Sequence, residues 1–237
     1  SSVDVYNVAI GYEAGKQVTT GIKNTFIGGL SGDAATTGGD NVSVGYNTLS
    51  SNTIGNSNVA IGKDAMLVNV AADRNVAVGL GTLQNMTSAS TSDTYNVGVG
   101  YAAGQAITTG TANTIIGGLA GDALTTGGNN VALGYQALTS QVGYGQNVAI
   151  GTQALRDQNV NAHGNNTAIG HQAGLNVTTG QYTTVVGSLA GDALTTGISN
   201  VAIGYNALST EDTGQKNVAI GTNALACLLY TSDAADE

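Results

Sequence analysis

The chain of 237 residues has no proline, no tryptophan, one phenylalanine, one cysteine and two histidines. Charged residues make up only 9% of it, with Lys and Arg together numbering six. So few cations cannot form the basic stripe that a phosphate backbone requires, which excludes nucleic-acid binding. No run of about 18 apolar residues occurs, so no segment reads as inserted in a membrane. His163 and His171 have no Cys or carboxylate at ligand spacing, so no metal site is expected. The calcium-binding nonapeptide of β-roll toxins is absent as well. Catalytic patterns are equally missing. Before the last eleven residues acids stand singly apart from Glu211-Asp212, and no serine sits in a nucleophile elbow. Gly117-Gly118-Leu119-Ala120-Gly121 and similar phrases lead into no helix that could hold a phosphate. The expectation is a protein that is not an enzyme and uses no cofactor.

What the chain has is repetition. The phrase Asn-Val-Ala-Ile-Gly recurs thirteen times almost unchanged, starting at residues 7, 24, 41, 58, 75, 96, 113, 130, 147, 166, 183, 200 and 217. Ten intervals are 17 residues and the other two are 21 and 19. A period this strict means one short unit stacked along an axis. We number these coils 1 to 13 and the residues of each coil from its first Asn as positions 1 to 17. Position 1 is Asn7, Asn24, Asn41, Asn58, Asn75, Asn96, Asn113, Asn130, Asn147, Asn166, Asn200 and Asn217, with Thr183 as the one exception. Position 5 is always glycine: Gly11, Gly28, Gly45, Gly62, Gly79, Gly100, Gly117, Gly134, Gly151, Gly170, Gly187, Gly204 and Gly221.

Position 2 is Val or Thr and position 4 is Ile, Val or Leu. This β-branched alternation predicts a short strand with one buried face. On this reading positions 2 and 4 point into the coil. Position 3, mostly Ala but Phe26, Ile115 and Val185 in three coils, points out. An outward face that is apolar is expected to pack on a partner, and identical chains around one axis are the simplest choice. The Asn column is expected to form an amide ladder along the stack. The position-5 glycines mark bends that need positive φ or close backbone approach.

Position 9 alternates between plugs (Leu49, Met66, Leu83, Leu138, Leu155, Leu208, Leu225) and glycines (Gly15, Gly32, Gly104, Gly121, Gly174, Gly191). This gives a higher-order repeat of four or five coils. Asp33, Asp122 and Asp192 recur in its second coil, as turn-formers or, gathered about a three-fold axis, as an ion ring. Thr-Thr-Gly closes many coils, as in Thr19-Thr20-Gly21. Position 6 carries a row of aromatics, Tyr12, Tyr46, Tyr101, Tyr135 and Tyr205, with His171 in register. Such a row is a candidate glycan or surface-binding site, since Tyr offers an apolar face with a polar tip; the alternative is that it covers the coil edge. The extra residues of the two long coils, near Met86–Thr94 and Asp157–Asn165, are expected to form protruding loops that often bind.

Residues 227–237, Cys-Leu-Leu-Tyr-Thr-Ser-Asp-Ala-Ala-Asp-Glu, break the repeat in mid-coil. They resemble a translation of the transposon-end adapter used in shotgun library preparation. The domain expected from the sequence is therefore 1–226, with a non-native tail at 227–237 that includes Cys227 and with a natural chain continuing past Ala226. Leaving out the tail, twelve acids face six bases and the net charge is −6 rather than −9.

The coils with Tyr-x-Ala-Leu or Tyr-x-Ala-Gly after the glycine resemble the head repeats of trimeric autotransporter adhesins and related repeats of marine phage tail-fibre and structural proteins. The resemblance covers residues 7–226 and implies a left-handed parallel β-roll with three chains around one axis. The 17-residue unit is longer than the repeat usual in adhesin heads. The fold class expected is thus all-β: a parallel β-solenoid of thirteen coils, intertwined or packed as a homotrimer. The function expected is a structural rod of a tail fibre or surface adhesin, in the virion or at the cell surface. Its partners would be sister chains and a cell-surface glycan or receptor. An ice-binding solenoid, a purely structural surface filament and a polysaccharide-degrading β-helix are the alternatives.

Overall fold

The structure is a computed structural model that describes residues 5–87, 92–210 and 212–226. It is a parallel β-solenoid, and no helix occurs among the described residues. Thirteen strands of three residues, from Val8–Ile10 to Val218–Ile220, form one sheet in sequence order, one strand per repeat of the phrase. Like pairs with like: Val131 lies against Thr114 on one side and Val148 on the other, and Ala132 against Ile115 and Ala149. A second, two-stranded parallel sheet pairs Ala72–Asp73 with Ser92–Asp93 at the base of the 21-residue coil.

Seventeen residues close a turn because each coil takes several left-handed backbone steps. In coil 8 these are Gly134 (φ 137°), Gln136 (φ 54°), Leu138 (φ 55°) and Gln146 (φ 65°), and the same positions repeat along the chain. Left-handed steps at non-glycine residues cost about 1 kcal/mol each. They are held by coil-to-coil bonds around the whole circuit. The N–H of Leu138 donates to Ala154 O at 3.0 Å, that of Ser140 to Arg156 O at 3.0 Å, and that of Gln136 to Gly118 O at 3.1 Å. Position 5 must be glycine for a second reason: a Cβ on Gly100 would lie 2.8 Å from the carbonyl of Gly117 in the next coil.

The facing of the strands is the reverse of the sequence expectation. Apart from Ala9 in the first coil, the position-3 residues are buried, including Ala60, Ala77, Ala132, Ala149, Ala168 and Ala202 and the large Phe26, Ile115 and Val185. Positions 2 and 4 lie on the outside, half-buried in most coils and exposed in several. Size explains the inversion. The opposite wall fills the interior with Leu49, Met66, Leu83, Leu138, Leu155 and Leu208, leaving room for little more than a methyl group on the strand. Where position 3 is large, the wall retreats. A Cβ on Gly15 would lie 2.9 Å from the Phe26 ring, one on Gly121 3.2 Å from Ile115 Cδ1, and one on Gly191 2.7 Å from Val185 Cγ1.

Position 12 is a further core column that the strand phrase does not signal. It is apolar where position 9 is glycine (Ile107, Leu124, Val177, Leu194), and it is a buried amide (Asn52, Asn69, Gln141, Gln158) in four of the coils plugged by Leu or Met. The amides are partly paired: Asn69 Nδ2 donates to Asn52 Oδ1 at 3.1 Å and Gln158 Nε2 to Asn147 Oδ1 at 3.1 Å, while Gln141 Nε2 and Gln158 Oε1 are buried with no hydrogen-bond partner. The position-1 ladder behaves as expected and does more. Asn113 Nδ2 donates to Gly127 O at 2.9 Å, closing its own coil. Its Oδ1 accepts from the backbone N–H of Asn130 at 3.0 Å and from Asn130 Nδ2 at 3.1 Å, locking the next one.

Two measurements follow from this packing. Urea unfolding of Asn113→Ala should show a loss of about 3 kcal/mol or more, because buried partners above and below are left unpaired at ~1–3 kcal/mol each. Ala132→Leu should cost about 1–3 kcal/mol by overpacking, while Val131→Thr on the outer face should stay within about 0.5 kcal/mol. A larger loss for Val131→Thr than for Ala132→Leu would reverse the facing described here.

Candidate functional surface

An uninterrupted surface feature is the outer face of the thirteen-stranded sheet. Positions 2 and 4 supply Val or Thr beside Ile, Val or Leu in every coil, with no charged residue. Ile61, Ile116, Ile169 and Ile203 are more than one-third exposed even in the middle of the stack. At strand spacing the face is ~60 Å long and ~10 Å wide, roughly 600 Å² in projection. That is the upper end of the largest apolar patch on a typical monomer, and patches of this size are often functional.

Tyrosines border this face. The position-6 row is exposed as expected: Tyr12, Tyr46, Tyr101, Tyr135 and Tyr205 are all more than half exposed, and His171 is exposed in register. The structure adds a second border missed in the sequence. Tyr6, Tyr95 and Tyr182 each stand immediately before position 1 of a coil, ahead of the strand, and are also more than half exposed. Their recurrence at one place in the coil was the available signal. In the position-6 row the rings of Tyr46 and Tyr135 lean toward the preceding coil. A Cβ on Gly29 would meet Tyr46 Cδ2 at 3.4 Å, and one on Gly118 would meet Tyr135 Cδ2 at 3.7 Å. Beside the row runs a ladder of half-buried amides, with Gln153 Nε2 donating to Gln136 Oε1 at 3.1 Å and Gln172 Nε2 to Gln153 Oε1 at 2.9 Å.

The other candidates of the sequence are mostly structural. Hydroxyls of Thr19, Thr36, Thr108 and Thr178 donate to the carbonyls of Thr36, Thr53, Thr125 and Thr195 in the next coil. Those oxygens serve the stack, which weakens an ice-ordering role for the Thr rows. His163 packs edge-to-face on Tyr144 with centroids 6.1 Å apart. No cluster of three metal-ligating side chains occurs among the described residues. Arg74 pairs with Asp93, and Tyr95 OH donates to Asp93 Oδ2 at 2.8 Å, pinning the base of the 21-residue coil. Residues 88–91 of that insertion, Glu211, Cys227 and the rest of 227–237 lie outside the described residues.

Asp33, Asp122 and Asp192 share one environment. Each keeps an Oδ1 atom buried with no hydrogen-bond partner. Burial pushes each carboxyl above its ordinary range, held back by the backbone N–H groups of its own residue and of the following alanine.

No protein-family model, curated protein or solved structure matches the chain.

The raised carboxyls set the sign of a pH effect. The folded state holds the proton more tightly than the unfolded chain, so these groups favour folding least once pH has risen past their folded pKa. Asp122→Asn should therefore raise the melting temperature near neutral pH. The gain should vanish below the ordinary carboxylate range, where wild type is protonated in both states. A gain that persisted or grew on acidification would contradict the assignment.

Proposed function

We propose that the chain is a structural rod segment of a homotrimeric fibre, in a phage tail fibre or a surface adhesin, that positions a receptor-binding part away from its particle or cell. The observation that carries this reading is the outer Val/Ile face. It has the continuity and composition of an interchain surface, and it replaces the Ala column as the side expected to meet sister chains. The repeated strand phrase, the low charge and the lack of a recognisable catalytic set agree with a mechanical rather than a chemical role.

The magnitudes favour assembly. Covering roughly 600 Å² of apolar projection contributes up to ~15 kcal/mol per chain at ~25 cal/mol per Å². Association costs ~4–15 kcal/mol, so the face alone comes close to balance. The Tyr6, Tyr95 and Tyr182 border adds the contact that brings the interface toward the ~800 Å² per partner typical of specific complexes. Three chains around an axis give each copy the same environment with no leftover edge.

Sedimentation equilibrium tests this. Wild type is expected at three times the chain mass, and Val131→Lys combined with Val148→Lys at the chain mass with an unchanged far-ultraviolet β signal. A wild-type chain that stays monomeric and soluble at micromolar concentration refutes the trimer.

A further inference from the structure

The position-6 row is regular in one part of the rod only. In coils 6, 8, 10 and 12 it presents Tyr101, Tyr135, His171 and Tyr205, one aromatic per two coils, or ~10 Å apart at strand spacing. Between them stand the small residues Gly118, Thr152 and Ser188, and the Tyr135 ring lies over Gly118. In coils 1 to 5 the row loses its aromatic at Leu80 and takes a charge at Lys63, and the neighbouring position 7 carries Glu13 and Asp64. Across positions 6 and 7 of coils 6 to 12, no Asp, Glu, Lys or Arg occurs. Alongside run the amides Gln136, Gln153, Gln172 and Asn206.

Flat exposed rings flanked by carboxamides are the side chains that sugar recognition uses: the ring covers the C–H face of a pyranose and the amide bonds its hydroxyls. The spacing selects the polymer. In an extended chain of equatorial 1,4 links, each sugar ring advances about one strand spacing and is turned over relative to the last. Every second ring then offers the same face to the same side. An α-linked chain curls away and cannot keep that register.

We propose that coils 6 to 12 form a binding platform for an uncharged β-1,4-linked polysaccharide lying along the rod axis, one sugar ring per coil, with alternate rings stacked on Tyr101, Tyr135, His171 and Tyr205. This deepens the fibre reading by naming the chemical class of the surface glycan, and it rests on that reading only in requiring that the row remain open in the assembly. Each contact is weak, and the affinity comes from four platforms acting on one chain.

Affinity electrophoresis in gels containing hydroxyethyl cellulose, glycol chitin or amylose is the test, followed by titration with β-1,4 oligosaccharides of increasing length. Retardation is expected with one or both β-1,4 polymers and not with amylose, with affinity rising as the oligosaccharide lengthens. Tyr135→Ala with Tyr205→Ala should weaken binding about tenfold or more, and Tyr135→Phe with Tyr205→Phe should retain it, since stacking needs the ring alone. No retardation by either β-1,4 polymer, equal retardation by amylose, or binding unchanged in the alanine variant overturns the platform. Sedimentation run on the same samples separates platform from trimer. If the alanine variant loses its oligomeric mass, the rings are interchain contacts and the platform falls while the trimer stands. If wild type is monomeric and still binds the β-1,4 polymer, the trimer falls while the platform stands.

Discussion

Every feature of this molecule depends on coils stacking in register at the strand spacing. Once residue 131 must lie over 114 and under 148, each coil position becomes a column and each column must suit its own copy above and below. Asn tolerates this best at position 1, because one carboxamide both closes its own coil and binds the backbone of the next. Glycine is required at position 5, because the adjacent carbonyl occupies the place of a Cβ. Stacking also sets the cost, since the non-glycine left-handed corners recur through the rod and are compensated by the bonds they make to neighbouring coils.

The interior shows how little space such a coil encloses. It is shared among positions 3, 9 and 12, and enlarging one is met by shrinking another. Phe26 faces Gly15 and Gly32; Leu138 and Leu155 go with Gln141 and Gln158. The higher-order repeat is therefore a packing rhythm, with large strand residues in coils 2, 7 and 11. The same coils carry Asp33, Asp122 and Asp192, whose orphaned buried oxygens are a cost shared by the three.

With small residues spent on the inside, the large β-branched residues are left for the outside. That links core to function. A solenoid whose outer strand face is largely Val and Ile leaves an apolar surface outside its own core, and that is the surface the proposed trimer would cover. The tyrosine borders then divide the work. In the proposed fibre the border that precedes the strand would add to the face that assembly covers, while position 6, beyond the strand glycine, would present its rings and amides to the proposed glycan.

The parallel solenoid, its seventeen-residue coils, the glycine bends, the Asn ladder and the position-9 plugs were all legible from spacing and residue type, because stacking writes its constraint into every repeat. The exposed position-6 row was legible in the same way. The facing of the strand was not. Val-Ala-Ile is apolar at all three positions, so polarity could not mark the outside, and β-branching pointed the wrong way. Only the opposite wall, with Leu138 and Leu155 filling the interior, decided that Ala132 and Ala149 turn in and Val131 and Ile150 turn out. The buried amides at position 12 were hidden for the same reason: a glutamine is admitted to the core by the volume and the acceptors around it, which tertiary structure alone supplies.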